Sequence, residues 1–211
     1  MPPDLDAPTT FVLLRHGETA MTAEKRFSGS GGSDPSLSEK GRWQAERAAV
    51  ALAGRGSVQA VVSSPLARCR QTAEAVAARL GVDVEVEQGL RETDFGSWEG
   101  LTFAEIHRRD PAALDAWLES SAAAPPGGES FDEVTARVTL AQDALLARHP
   151  ARTVLLVSHV TPLKTLLRLA LSAPSEALFR MDLAPASLSA IAYYADGNPT
   201  VRHLNDTSHL R

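Results

Sequence analysis

Two apolar segments of this chain each end at a histidine. Arg15 and His16 follow the apolar run 11–14, and His159 follows the run 154–157 after one serine. Because ligands of open α/β sheets bind outside the carboxyl ends of the strands, both histidines are expected at one site. Phosphoryl transfer uses these residue types together, since a neutral imidazole nitrogen attacks phosphorus and a guanidinium binds phosphate oxygens with a planar fork.

His16 has the residue type of a nucleophile. A reference pKa of about 6.5 leaves histidine a neutral nitrogen near physiological pH. The alternative is that Arg15 and His16 only end a surface strand. Gly17 weakens this alternative, because a glycine lets the backbone approach a ligand closely.

Arg68 is the second candidate for binding an anion. It follows the predicted strand 58–63, and Pro65 is expected in the opening turn of the next helix. Arg68 would then lie near a helix N-terminus, where the dipole and the free N–H groups favour anions. Arg70 faces elsewhere and is interpreted as a solvated partner of an acid, and Ser64 as a helix cap.

His159 stands just before a further predicted helix start, with Pro162 in the first turn. It would donate a hydrogen bond to a transferring phosphoryl group, beside the backbone N–H of Val160. The alternative is a core histidine bonded to a carbonyl group. In both interpretations Ser158 is a turn residue.

The departure of an alkoxide needs a proton, so the site needs an acid. Glu92 is a candidate, and the negative charge of a bound phosphate would keep it protonated. Other carboxylates lie between 94 and 105, and the sequence alone does not select among them; Asp94 and Glu99 are equally well explained as caps or ion-pair partners. A metal site is disfavoured, because these histidines form no closely spaced pair and the arginines would repel a cation.

The composition is that of an ordinary globular domain. The chain has 211 residues, of which 44% are hydrophobic and 22% charged, and its net charge is −5. This charge gives no indication of a broad basic surface for nucleic acid or for a membrane. Cys69 is the single cysteine, so an intrachain disulfide is excluded. No apolar run is long enough to span a bilayer and no signal pattern is present, so a cytoplasmic location is expected.

Strand and helix patterns alternate along the chain, which predicts a three-layer α/β/α sandwich with a mostly parallel central sheet. Ser130 and Glu133 form a predicted capping box. Residues 1–9 are expected to be a flexible leader or linker remnant before a single domain over 10–211, and 93–129 an insertion over the site. Strands are predicted at 11–15, 58–63, 82–87, 153–158, 187–194 and 199–203, and helices at 38–53, 66–80, 102–109, 111–119 and 131–148.

Seven motifs in the same order resemble those of the histidine phosphatase (phosphoglycerate mutase-like) superfamily. Together they span about residues 10–205, and the combination is far more specific than any one of them. The motifs are 14–19 (LRHGET), 26–29 (RFSG), 37–41 (LSEKG), 63–68 (SSPLAR), 92–100 (ETDFGSWEG), 126–130 (PGGES) and 157–159 (VSH).

The resemblance implies a role for each matching residue. His16 would be the transiently phosphorylated nucleophile, and Arg15, Arg68 and His159 would hold the phosphoryl oxygens. Glu92 would protonate the leaving group and then activate water. No metal or organic cofactor is implied. Further contacts to phosphate or substrate are expected at Thr22, Ser28, Gly29 and Val160.

Two residues depart from the family pattern. Thr22 stands where many relatives have asparagine, and its hydroxyl still donates, so phosphate binding is expected to persist with altered geometry. Val160 stands where many relatives have glycine, and its side chain should narrow the site.

Within the superfamily, segment 91–100 resembles the α-ribazole phosphatase branch of cobalamin synthesis. Segments 7–16 and 157–162 resemble the C-terminal acid phosphatase domain of actinobacterial proteins that carry a fused ribonuclease H domain, so such a fused partner is a further expectation. The predicted activity is that of a metal-independent phosphomonoesterase acting through phosphohistidine. Trp98, Phe103 and Trp117 are candidates for an apolar wall of the substrate site, and each is equally well explained as a core residue.

Two other functions compete with this prediction. A mutase would transfer phosphate to a second hydroxyl, and the chain lacks the longer segment that such mutases place after the acid-bearing loop. A non-catalytic phosphate-binding module is disfavoured because all five central residues are intact.

Overall fold

The computed structural model describes residues 7–211, so the predicted leader over 1–9 lies mostly outside it, and the first strand begins at Thr9. The strands are β1 (Thr9–Arg15), β2 (Ala60–Ser63), β3 (Val84–Val86), β4 (Thr153–Ser158), β5 (Leu188–Tyr193) and β6 (Pro199–Asp206). The α-helices are α1 (Ala20–Ala23), α2 (Glu39–Arg55), α3 (Ala67–Leu80), α4 (Phe103–Arg109), α5 (Pro111–Glu119), α6 (Phe131–Arg148) and α7 (Val160–Ala170).

Within the described residues the strands form a six-stranded sheet in the order β3-β2-β4-β1-β5-β6. The first four strands in this order run parallel, and β5 and β6 are antiparallel to their neighbours. The prediction of a mostly parallel sheet is therefore confirmed. The predicted elements are present, with ends that differ by a few residues.

Alternating side chains of the central strands build two cores, one on each face of the sheet. Phe11 and Leu13 of β1 pack in a cluster with residues of α6 and α7. Val12 and Leu14 pack in a second cluster with residues of α2 and α3. Because a strand buried on both faces reads as a continuous apolar run, this packing explains the run at 11–14.

The register of the parallel strands brings their carboxyl ends to one edge of the sheet. Arg15 of β1 lies opposite Ser158 of β4, and Ser63 of β2 lies opposite Val157. The residues that follow these three strands therefore emerge side by side. The sheet thus places chain segments from three distant parts of the sequence around one point.

Segment 93–129 covers this edge, as predicted. It contains α4 and α5, and its apolar side chains form a third cluster with Phe27, Phe131 and Leu178. The predicted capping box at the start of α6 is confirmed, with the Glu133 N–H donating to the Ser130 hydroxyl at 3.2 Å and the Ser130 N–H donating to the Glu133 carboxylate at 2.8 Å. None of the helices in residues 7–211 is long and apolar enough to cross a membrane.

Two leucines of α6 test the packing of this helix. Leu145 is fully buried in the core, whereas Leu140 is 71% exposed. Leu145→Ala is expected to lower the free energy of unfolding by about 2–5 kcal/mol, because it leaves a cavity. Leu140→Ala is expected to change it by less than about 0.5 kcal/mol. Urea denaturation measures both, and equal losses would contradict the described orientation of α6.

Candidate active site

A cavity of about 670 Å³ opens at the carboxyl edge of the sheet, where β1, β2 and β4 end. Its lining includes Arg15, His16, Arg68 and Glu92. The structure therefore brings together four of the five residues predicted to be catalytic. A cavity of this size accommodates a small organic molecule.

His16 is held by its backbone and by one ring nitrogen. Its N–H donates to the carbonyl of Ser158 at 3.0 Å, and its own carbonyl accepts from the N–H of Ala186 at 3.1 Å. Nδ1 lies 2.7 Å from the carbonyl oxygen of Gly17. Since a carbonyl only accepts, Nδ1 must carry the proton, and the neutral ring then has its lone pair on Nε2.

The surroundings keep His16 neutral. Burial lowers the pKa of His16 well below its usual value, and the positive charges of Arg68 and Arg15 lower it further. The protonated ring would be both desolvated and repelled. His16 therefore has the charge state and the free nitrogen that a nucleophile requires.

Arg68 is almost completely buried, at 1% exposure, in the first turn of α3. Its Nη2 donates to the carbonyl of Ser28 at 2.9 Å. Nε of Arg68 and Nε of Arg15 are buried and have no hydrogen-bond acceptor in residues 7–211, whereas Nη1 of Arg68 lies 3.5 Å from a carboxylate oxygen of Asp34. Buried donors without acceptors are rare in proteins, so these N–H groups indicate a place for a bound anion.

The N-terminus of α3 is not the free anion site that the sequence predicts. The Ala67 N–H donates to both carboxylate oxygens of Asp34, at 2.9 and 3.0 Å, so this position is already occupied by a negative charge. Pro65 precedes the helix cap Leu66 and so lies outside the first turn. Val160, by contrast, lines the cavity as the first residue of α7, where a helix has free N–H groups.

His159 lies behind His16 and does not line the cavity. It is fully buried, and the two imidazole rings meet edge to face with centroids 5.1 Å apart. Nε2 of His159 is 2.7 Å from the hydroxyl of Ser64 and 3.3 Å from the sulfur of Cys69. Ser64 is therefore a partner of His159 and not the N-cap of α3, which is Leu66. Burial lowers the pKa of His159 well below its usual value, as it does for His16.

Glu92 reaches the cavity from the loop that follows β3. Its side chain is buried at 6% exposure, and its Oε1 accepts the N–H of Thr93 at 2.9 Å. The other two candidate acids of this segment, Asp94 and Glu99, do not line the cavity, and both accept hydrogen bonds from backbone N–H groups. Asp94 accepts the N–H of Gly96 at 2.9 Å, and Glu99 accepts the N–H of Gly29 at 2.8 Å.

Thr22 and Ser28 line the cavity, but Gly29 does not. The Gly29 backbone lies against Thr93, where a Cβ would come within 2.3 Å of the carbonyl oxygen. Gly17 is likewise needed for packing and not for ligand approach, because a Cβ there would lie 2.4 Å from the carbonyl oxygen of Gly41 in α2. Both glycines allow two backbone segments to touch beneath the site.

The structure also tests the interpretations of Ser158 and Arg70. Ser158 is the buried last residue of β4 and not a turn residue, and its hydroxyl donates to the carbonyl of Leu90 at 2.6 Å. Arg70 is exposed and pairs with Glu74 at 3.3 Å, which confirms its interpretation as a solvated ion-pair partner.

One wall of the cavity is aromatic. Trp117 lines it, as one of the sequence interpretations expects, whereas Trp98 is 2% exposed within the third cluster and Phe103 is 47% exposed on α4. Phe179, at 45% exposure, also lines the cavity and packs on Trp117 with ring centroids 5.6 Å apart. Among residues 7–211 the aromatic side chains that line the cavity are Phe27, Phe95, Trp117, Phe131 and Phe179.

Charged residues that the sequence did not single out line the rest of the cavity, among them Lys25, Lys164 and Asp182. Lys164 follows Val160 by four residues on α7, and that spacing is the signal that would have found it. Its ammonium group donates to the carbonyl of Leu178 at 2.9 Å. Burial lowers the pKa of Lys164, and the nearby Asp182 opposes this shift.

The charge state of His16 is directly measurable. In an NMR titration of the histidine ring protons, His16 is expected to titrate below its ordinary value of 6.5. Arg68→Gln should raise this pKa, because it removes a buried positive charge beside the ring. Arg70→Gln, on the exposed face of the same helix, is the control and should leave it unchanged. A His16 pKa near 6.5 in the unaltered protein would contradict the described site.

Comparison with known proteins places the chain in a family. Residues 11–207 match the model of the histidine phosphatase superfamily (branch 1). The bifunctional protein Rv2228c of Mycobacterium tuberculosis is 51% identical over 203 residues, which cover 96% of this chain and 55% of that protein. The chain thus spans about half the length of this relative.

Two solved structures are similar over nearly the whole chain. A mycobacterial glucosyl-3-phosphoglycerate phosphatase, complexed with VO3, superposes with a TM-score of 0.85 at 34% identity, covering 94% of this chain and all of that chain. An Escherichia coli protein, a candidate alpha-ribazole-5'-P phosphatase, has a TM-score of 0.84 at 28% identity, covering 94% and 97% of the two chains. The match of sequence and fold over this length shows that the chain belongs to the histidine phosphatase superfamily.

Proposed function

We propose that this chain hydrolyses phosphomonoesters without a metal ion, through a phosphohistidine formed on His16. The observation that carries the proposal is the neutral His16 ring, with Nδ1 bonded to the Gly17 carbonyl and Nε2 left as the free nucleophilic nitrogen. The guanidinium groups of the partly buried Arg15 and the buried Arg68 supply the positive charge for the phosphoryl oxygens.

The reaction is proposed to proceed in two displacements. Nε2 of His16 attacks phosphorus while the bond from phosphorus to the ester oxygen breaks, and Glu92 gives its proton to the departing oxygen. Glu92 then takes a proton from water, the hydroxide attacks phosphorus, and the bond to Nε2 breaks to release phosphate. Each step begins with the protonation state that the previous one leaves.

The aromatic wall supports a preference among substrates. Phe179 and Trp117 offer an apolar surface on one side of the cavity, while Lys25 and Asp182 are charged groups elsewhere in its lining. We propose that the leaving group has an apolar or ring face next to its phosphate. Acid phosphatase activity and hydrolysis of α-ribazole phosphate are both compatible with this preference, and the E. coli neighbour supports including the second.

The proposal extends to the longer protein. A relative that is named bifunctional and is about twice as long supports the proposal of a second, covalently linked domain. The sequence resemblance implies a ribonuclease H domain in that place. The cytoplasmic location and the absence of nucleic-acid and membrane binding by this domain belong to the same proposal. Phosphoryl transfer to a second hydroxyl, as in a mutase, is the alternative, and return of phosphate from the enzyme to phosphoglycerate would support it.

Phosphate release tests the roles of the two central residues. His16→Ala is expected to abolish turnover of p-nitrophenyl phosphate, whereas the exposed His107→Ala should retain it. Glu92→Gln is expected to lower kcat/KM about 10²–10⁴-fold for 3-phosphoglycerate, whose leaving group needs a proton, and much less for p-nitrophenyl phosphate. A chelator should have no effect. Turnover by His16→Ala would overturn the mechanism. Loss of activity of the unaltered protein in the presence of a chelator would overturn it as well.

Two phenylalanines of similar exposure test the aromatic wall. Phe179 lines the cavity at 45% exposure, and Phe103 is 47% exposed but does not line it. Phe179→Ala should lower kcat/KM for α-ribazole phosphate about tenfold relative to 3-phosphoglycerate, because apolar contact area with the leaving group is lost. Phe103→Ala should leave the ratio unchanged. Equal ratios in both variants would exclude the wall from substrate selection.

A further inference from the structure

We propose that Arg137, on α6, is a positioning residue that holds Glu92 in place at the cavity. The inference deepens the proposed function and rests on it, since it assumes that Glu92 is the acid. Arg137 itself does not line the cavity, so any effect it has on the reaction must pass through the residues that it contacts.

All five N–H groups of Arg137 have acceptors. Nε and Nη2 donate to the two carboxylate oxygens of Glu129, each at 2.9 Å. Nη1 donates to the carbonyls of Gly89 at 2.9 Å and Arg91 at 2.8 Å, and Nη2 donates to the carbonyl of Glu92 at 3.1 Å. The rigid planar fork of a guanidinium is the group that can make these bonds at once.

These bonds hold the backbone immediately before the acid. The carbonyls of Gly89, Arg91 and Glu92 accept from Arg137, and the carbonyl of Leu90 accepts from the hydroxyl of Ser158 at 2.6 Å. Four consecutive carbonyls are thus bound by two side chains, one from α6 and one from the end of β4. The loop that carries Glu92 is thereby tied both to a helix and to the strand that ends beside His16.

Glu129 extends the connection to the other side of Glu92. Its carboxylate accepts from Arg91 at 2.9 Å and from the backbone N–H of Asp94 at 3.0 Å, in addition to Arg137. The Arg137 and Glu129 side chains are 13% and 17% exposed, so the pair is largely shielded from water. Residues on both flanks of Glu92 are therefore bonded to a single, largely shielded ion pair.

The position of the Glu92 carboxylate should affect the rate of the chemical step more than the binding of the substrate. A displacement of about 1 Å at a reacting group can cost about a hundredfold in rate. Loss of the fork should therefore resemble a weaker form of the loss of Glu92, with its effect greatest for esters whose leaving group needs a proton. A general loosening of the domain would instead reduce the rates of all esters alike.

The first experiment compares Arg137→Gln with Arg168→Gln. Arg168 is a partly buried arginine that also donates to α6, through the Thr135 hydroxyl at 3.1 Å. Within residues 7–211 none of its hydrogen bonds reaches the loop that carries Glu92. Arg137→Gln is expected to lower kcat/KM for 3-phosphoglycerate about ten- to a hundredfold, and for p-nitrophenyl phosphate less than about threefold. Arg168→Gln should not change the ratio of the two. Equal losses for both esters in Arg137→Gln would overturn the proposal.

The second experiment repeats the substitution in Glu92→Gln. If Arg137 acts through Glu92, the double variant should have the same kcat/KM for 3-phosphoglycerate as Glu92→Gln alone, because the group being positioned is gone. Multiplicative losses would indicate an independent structural role and overturn the proposal. Arg137→Lys keeps the charge beside Glu129 but lacks the fork, so it should fold as the parent and still show the leaving-group dependence.

A third measurement does not depend on activity. Amide hydrogen exchange of residues 89–95 should accelerate in Arg137→Gln and Arg137→Lys, and remain as in the parent in Arg168→Gln. Unchanged exchange would overturn the positioning role even if no ester were hydrolysed. If the two Arg137 variants exchange faster but the parent protein releases no phosphate from any ester, the proposed function fails while the placement of the loop by Arg137 stands.

Discussion

The hydrogen bond from Nδ1 of His16 to the carbonyl of Gly17 is the interaction on which the site depends. It fixes the tautomer, orients the ring and leaves the lone pair on Nε2, the nitrogen proposed to attack phosphorus. A protonated His16 ring would have no free nitrogen beside the positive charges of Arg15 and Arg68. These same charges lower the pKa of the ring and so disfavour its protonation. In the proposed mechanism one set of groups therefore both binds the anion and keeps the nucleophile neutral.

That hydrogen bond requires a tightly packed support. The loop after β1 passes so close to α2 that Gly17 and Gly41 each leave no room for a Cβ. The Gly17 N–H is held by the Thr72 hydroxyl, which in turn donates to the carbonyl of Arg68. The loop that carries His16 and the helix that carries Arg68 are thus joined through one threonine, which places them relative to each other.

Local signals explain how much of this was predictable. The apolar runs, the capping box at Ser130 and the family motifs predicted the sheet, the helices and the cluster of His16, Arg68 and Glu92. The errors concern contacts between distant residues: Ser64 meets His159 across 95 positions, and Asp34 meets the start of α3 across 33. Neither contact leaves a periodic pattern, so only the assembled fold shows that a presumed cap and a presumed anion site serve other partners.

The two buried imidazoles of His16 and His159, which meet edge to face, link proton uptake to unfolding. Burial lowers the pKa values of His16 and His159 in the folded chain, so the unfolded chain binds more protons below about pH 6.5. These two groups therefore reduce the free energy of unfolding as the pH falls through the range from about 6.5 down to their folded values. The same burial that keeps His16 neutral in mild acid therefore makes the fold itself sensitive to acid.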